Sequence, residues 1–327
     1  MTVEVLYIAG FGRSGSTLLG NVLGAYDGVF STGELHLLWQ ALIRDTGCGC
    51  GERVAGCEVW SRVLDDLRTS GAWDGDPQTV RRWQLAEARV AHTRRILRVT
   101  QGEETAPSTR PDLDRYRALL GALYEAIARV TGAGTIVDSS KTPADAAALL
   151  GVEGIDPRLV HLVRDPRAVA FSQGRRKPTL DPHRGDESMH RRGVIESSAR
   201  WVSVNLLTER VRRRYGEGRW AFLPYERFAA EPQGAAEALL RLAGGPTGEA
   251  PFTAPRVVHL GANHNVWGNR SRFATGPTEI RADEAWREGF PARDRRIVTA
   301  LCLPWLGRYG YPSRSGSAPS AAGGEGS

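Results

Sequence analysis

The stretch IAGFGRSGSTLLG, residues 8–20, sets Gly10, Gly15, Ser16 and Thr17 in the phosphate-loop frame G-x-x-x-x-G-K-[ST], with Ser16 where that frame has lysine. An apolar, β-branched run, VEVLYIA, precedes it, and STLLGNVLGAY follows with apolar residues at helical spacing. In a strand–turn–helix context, the backbone N–H groups of Gly12, Arg13, Ser14, Gly15, Ser16 and Thr17 form an anion nest at a helix N-terminus. Arg13 adds a planar cationic fork, and Ser16 and Thr17 add hydroxyls. Lacking the lysine that reaches β- and γ-phosphates, the loop suits one phosphate rather than a magnesium triphosphate.

A second anion site is written in LVRDPRAVAFS, residues 162–172. A strand ends at Arg164, Asp165 is an N-cap and Pro166 the first helical residue. Ser172 falls two turns on, on the side of Asp165, so Arg164 and Ser172 can share a second phosphate. Two separated phosphates at two strand ends fit a 3′,5′-substituted adenosine.

These motifs resemble those of the PAPS-dependent sulfotransferases, PAPS being 3′-phosphoadenosine 5′-phosphosulfate. GFGRSGSTLL resembles their 5′-phosphosulfate loop, LVRDPRAVAFS their 3′-phosphate motif, and LPYERFAAEP, with Tyr225, their Y-E-D-L segment. The likeness runs in order from about residue 3 to about residue 290 and is strongest to a bacterial branch similar to tyrosylprotein and carbohydrate sulfotransferases. It implies an α/β fold with a P-loop-like parallel sheet flanked by helices. It also implies transfer of the sulfuryl group from PAPS, as co-substrate, to a hydroxyl of a small-molecule or carbohydrate acceptor.

In that branch a G-E after the second strand carries the general base. STGELH puts Glu34 there, and His36 is the rival base, with the better unperturbed pKa. VDSSKTPADAAAL resembles the segment that supplies a lysine to the sulfate, which makes Lys141 the match. Ser139 and Ser140 either join it or cap the helix at Pro143. GANHNVWGNRSRF resembles a segment that folds over the nucleotide, with Asn269 and Arg272 as phosphate contacts and Trp267 either stacking on a ligand or packing in the core. The implied transfer is in-line and needs donors around the sulfuryl group rather than a metal, with Arg13 acting catalytically on the leaving oxygen and Lys141 arriving from another strand.

Two other readings share these residues. A small-molecule kinase using ATP would want a lysine at 16 and a magnesium-binding acid at a strand end, for which Asp138 is available. A non-catalytic nucleotide-binding protein would keep both phosphate sites and need neither Glu34 nor Lys141.

The elements that must position these residues read as alternating strands and helices, hence a parallel sheet. Strands are expected at 3–9, 28–31, 134–138, 158–164 and 219–225, and helices at 34–44, 78–99, 112–130 and 191–215. One domain spans 1–312, with a helical insertion at 71–131 that includes the linker GEETAPSTRPD, and 313–327 reads as a disordered low-complexity tail. The insertion and the polar loop 175–190 are expected to shape the acceptor pocket, for a phenolic or sugar hydroxyl.

Apolar residues make up 41% of the 327, enough for a sizeable core, and the net charge of +6 suits an anionic ligand. No aromatic-interleaved basic stripe argues for nucleic acid. No apolar run reaches the length of a membrane span, and no signal-peptide pattern opens the chain, so a cytoplasmic protein is expected. The abundance of Ala, Gly and Arg points to a bacterial source. Cys48, Cys50 and Cys57 cluster in CGCGERVAGC, and Cys302 stands apart. The spacing C-x-C-x6-C is not a standard zinc frame and shows no evident fourth ligand, so a metal site and a plain reduced loop both stay open.

Overall fold

The computed structural model describes residues 2–91, 110–175, 191–245 and 249–313. Five parallel strands form the central sheet: β1 Val3–Ala9, β2 Val29–Gly33, β3 Thr135–Lys141, β4 Ile155–Val163 and β5 Trp220–Pro224, in spatial order β2-β3-β1-β4-β5. The run VEVLYIA becomes the central strand because both its faces are covered by helices, and Val5 to Ala9 are fully buried.

Helices α1 Ser16–Leu23, α2 Leu38–Arg44, α3 Glu58–Thr69, α4 Pro77–Ala91 and α5 Arg110–Thr131 come next, then α6 Pro143–Leu149, α7 Pro166–Gly174 and α8 Val194–Tyr215. The chain continues through α9 Tyr225–Ala230, α10 Pro232–Leu242, α11 Trp286–Gly289 and α12 Ala292–Arg308. A small antiparallel sheet, β6 Phe252–Ala254, β7 Val257–Leu260 and β8 Gly276–Glu279, sits between α10 and α11 in the chain. One core packs α3 and α5 against β1 through Trp60, Leu64, Leu123, Tyr124 and Ile127, and a second joins α1, α9 and α10 to the other sheet face.

Several boundaries differ from the sequence reading. β3 runs on to Lys141 instead of stopping at Asp138, because Ala9 pairs with Lys141 after a register shift. β4 starts at Ile155, where pairing with Val3 outweighs the expected penalty of Pro157. Thr142, not Ser139 or Ser140, caps α6, accepting from Asp145 N at 3.1 Å. Beyond residue 91 the helix expected over 78–99 lies outside the described residues. So do the linker up to 109, the loop from 176 to 190 and the tail from 314; residues 110–112 are helical. Among the described residues no helix is long and apolar enough to cross a membrane.

Candidate active site

Every strand of a parallel sheet delivers its C-terminal end to the same edge, so the loops after β1, β2, β3 and β4 meet there. The loop after β1 turns into α1 through Gly15, with φ 89°. A Cβ on Gly15 would lie 2.5 Å from the Tyr225 ring, so glycine is required both by conformation and by the ring packed against it. Four non-glycine residues among those described have positive φ, and three of them, Arg13 (73°), Lys141 (75°) and Trp267 (62°), stand at this edge. Such outliers persist where surrounding structure over-determines them, as at ligand sites.

The two phosphate motifs touch. Arg13 Nε donates to Ser172 Oγ at 2.9 Å, across 159 residues of sequence. Arg164 Nη1 donates to the Arg13 carbonyl at 3.1 Å, and the Arg164 guanidinium lies over the Tyr225 ring at 4.6 Å. Asn269 Oδ1 accepts from Arg13 Nη1, and Asn269 N donates to Thr17 Oγ1 at 3.3 Å, so the 261–273 segment contacts the loop through Asn269. Arg272 is buried with its guanidinium over Phe273 at 4.6 Å. Trp267 is half-buried and packs against the larger core.

The electrostatics favour an anion. Burial and the neighbouring Arg164 pull Arg13 below the usual guanidinium range, and Asp283 partly offsets them. Asp283 holds Arg164 by its carbonyl at 2.8 Å and its carboxylate at 3.2 Å, a partner that sequence reasoning missed. Two donors in this region, Ser14 Oγ and Arg164 Nε, are buried with no hydrogen-bond partner among the described residues. Orphaned buried donors are costly, and an anion at this edge would satisfy them. The residues present therefore fit a bound phosphate.

Glu34 and Lys141 arrive from adjacent strand ends and form an ion pair, Oε1 to Nζ 2.5 Å, with side chains 14% and 17% exposed. The register shift between Tyr7 and Ala9 lets β3 carry Lys141 to the edge. His36 faces Asp145, Nδ1 to Oδ2 4.0 Å, and its backbone carbonyl accepts from Gln84 Nε2 of α4 at 2.8 Å. The helical layer therefore reaches the segment that holds both candidate bases.

Asp138 is buried. Its Oδ2 accepts from Tyr124 Oη at 2.7 Å and its Oδ1 from Ser140 N at 2.8 Å, and burial pushes its carboxyl up. The carboxylate is thus committed to the interior rather than offered to a ligand. Asp165 caps α7 as expected, and Arg167 is buried. It lies on Asp165, Nε to Oδ1 2.9 Å, with its guanidinium over Trp286. Glu226 Oε1 accepts from Asp165 N at 3.1 Å and ties α9 to the same strand end.

Away from this edge, Cys48, Cys50 and Cys57 converge with His264, a ligand-type residue that their spacing could not disclose because it lies 207 positions from Cys57.

A five-stranded parallel sheet flanked by helices, with a glycine-rich turn between its central strand and α1, defines a phosphate-loop-like α/β fold. The chain matches the profile described as the Sulfotransferase family over residues 6–249, and it belongs to that family. No curated protein matches it. It is similar to the solved sulfotransferase domain from the curacin biosynthetic pathway, at 15% identity over 95% of this chain and 99% of that one, TM-score 0.47. Similarity extends to a sulfotransferase from Mycobacterium avium, at 12% over 95% and 78%, TM-score 0.46. It also includes the sulfotransferase domain of a Synechococcus olefin synthase, at 18% over 93% and 95%, TM-score 0.42. The assignment rests on the family match.

Proposed function

We propose that the protein moves the sulfuryl group of PAPS to a hydroxyl of a small-molecule or carbohydrate acceptor, in-line and without a catalytic metal. The observation that carries this reading is the Arg13–Ser172 hydrogen bond, which joins the two phosphate motifs into one cationic edge. The donor would supply an activated sulfuryl group on a bisphosphate leaving group. Gly12 to Thr17 would hold its 5′ side through backbone N–H groups, and Arg164 with Ser172 its 3′-phosphate. Arg13, Asn269 and Arg272 would add donors, and Tyr225 would support Arg164 from beneath. Glu34 would accept the proton of the acceptor hydroxyl, with His36 the rival for that task. Lys141 would turn from Glu34 to the oxygens that gain charge.

The ATP-dependent kinase reading is disfavoured by the commitment of Asp138 to Tyr124 and Ser140. Isothermal titration separates the readings. Binding of 3′,5′-bisphosphoadenosine without metal, weakened in R164A, is expected. A preference for ATP with magnesium would overturn the proposal.

A further inference from the structure

The cluster of Cys48, Cys50, Cys57 and His264 has features that the transfer reaction does not use. Its four ligand-type atoms, three sulfurs and one ring nitrogen, all lie within 4.8 Å of one another. Tetrahedral zinc with Zn–S bonds of about 2.3 Å would set its ligand atoms about 3.8 Å apart. Small side-chain adjustments close that difference. His264 Nδ1 already lies 3.2 Å from Cys57 Sγ.

The backbone is shaped around the sulfurs. Cys48 and Cys57 are fully buried, Cys50 is half-buried, and all three are free thiols. Tight turns hold this arrangement, with Cys48 N donating to Glu52 O at 2.7 Å and Gly51 N to Cys48 O at 3.0 Å. The His264 ring is fixed as well. It stacks on Phe30 at an interplanar angle of 18°, and its carbonyl accepts from Trp60 Nε1 at 2.7 Å.

We infer that Cys48, Cys50, Cys57 and His264 form a structural zinc site. Three soft thiolates and an imidazole in tetrahedral reach select zinc over magnesium or calcium, which prefer oxygen. All four positions come from protein, so the site is closed and structural rather than catalytic.

Its place in the fold gives it a purpose. Gly49 N donates to Asn265 O at 3.0 Å, and Cys48 bridges to Val266. Val266 in turn accepts from Glu34 N at 2.8 Å and donates to Thr32 O at 2.8 Å. A Cβ on Gly33, at φ 71°, would lie 2.7 Å from Val266 O, so the two segments meet in backbone contact. The metal would lock the segment that ends in Asn269 to the strand end that carries Glu34. The inference stands on the four ligands alone and does not depend on the transfer reaction.

The test is metal analysis of the full-length chain, purified with its tag removed, under reductant and without chelator. About one zinc per chain is expected. A mercurial thiol reagent should release it in step with modification of the clustered cysteines, which requires no variant to fold. Cobalt(II) exchange should give intense tetrahedral d–d bands with thiolate charge transfer. His264→Cys should keep the metal and shift those bands, and the triple variant C48S/C50S/C57S should hold none. Folded, reduced wild-type protein with neither zinc nor a cobalt thiolate band would overturn the inference, as would zinc retained by the triple variant.

Discussion

Glu34 Oε1 sits 2.5 Å from Lys141 Nζ, a contact between the end of one strand and the end of its neighbour. The proposed base and the proposed sulfate-binding cation thus neutralise each other before substrates arrive. In the proposed reaction each would exchange its partner for substrate during turnover.

Removing one partner of this largely buried pair has two separable effects. E34Q is expected to lower kcat by about 10²- to 10⁴-fold in transfer from PAPS to an acceptor found by screening phenols and sugars. It should leave bisphosphate affinity within about threefold, because in the proposed roles Glu34 serves the acceptor hydroxyl and not the bisphosphate. Urea unfolding should show E34Q and K141M each destabilised by about 1–3 kcal/mol. H36Q retaining most of kcat would support Glu34 as the base, whereas loss in H36Q with activity kept in E34Q would reverse the assignment.

Arg164 holds the loop by its main chain and offers a buried Nε to the site. Charge-assisted hydrogen bonds contribute about 1.5–3 kcal/mol, so R164A should weaken 3′,5′-bisphosphoadenosine by about 10- to 100-fold. S172A, which removes one neutral hydroxyl, should cost about tenfold or less. Titration calorimetry of both variants against adenosine 5′-phosphate would show whether the loss follows the 3′-phosphate.

Gly15 is pinned between a left-handed turn and the Tyr225 ring. G15A is expected to abolish measurable bisphosphate binding while circular dichroism of the sheet and helices stays close to wild type. Y225F should bind nearly normally, since the Tyr225 hydroxyl makes long contacts, 3.3 Å to Arg281 O and 3.4 Å from Asp283 N. Y225A should fail with G15A, because the ring also supports Arg164.

His161 lies inside the sheet, and burial pulls its pKa down from 6.5 to about 4. Asn205 Nδ2 donates to Trp201 O, so Asn205 Oδ1 accepts from His161 Nε2 and the ring is the neutral tautomer. Between pH 6.5 and about 4 the unfolded chain binds a proton that the folded chain refuses. Stability therefore falls as pH drops through this window, by about 3 kcal/mol at its acid end. Denaturant melts of wild type and H161Q from pH 7.5 to 4.5 should show a shallower slope in the variant, and parallel slopes would refute it.

The sequence by itself determined the loop, the second arginine–serine motif and the alternation of strands and helices. Each of these is a local pattern, because turn chemistry, capping and apolar periodicity act over a few residues. The resemblance carried by GFGRSGSTLL and LVRDPRAVAFS pointed to the family that the profile match establishes. What lay beyond local pattern came from packing. The length of β3 depends on a register shift against β1, and the capping of α6 by Thr142 depends on where that strand ends. The Glu34–Lys141 pair exists because two parallel strands end side by side. Asp283 on Arg164 and His264 on Cys57 are contacts across more than a hundred residues. No spacing rule encodes such contacts, since chain separation says nothing about distance once the sheet has gathered its loops at one edge.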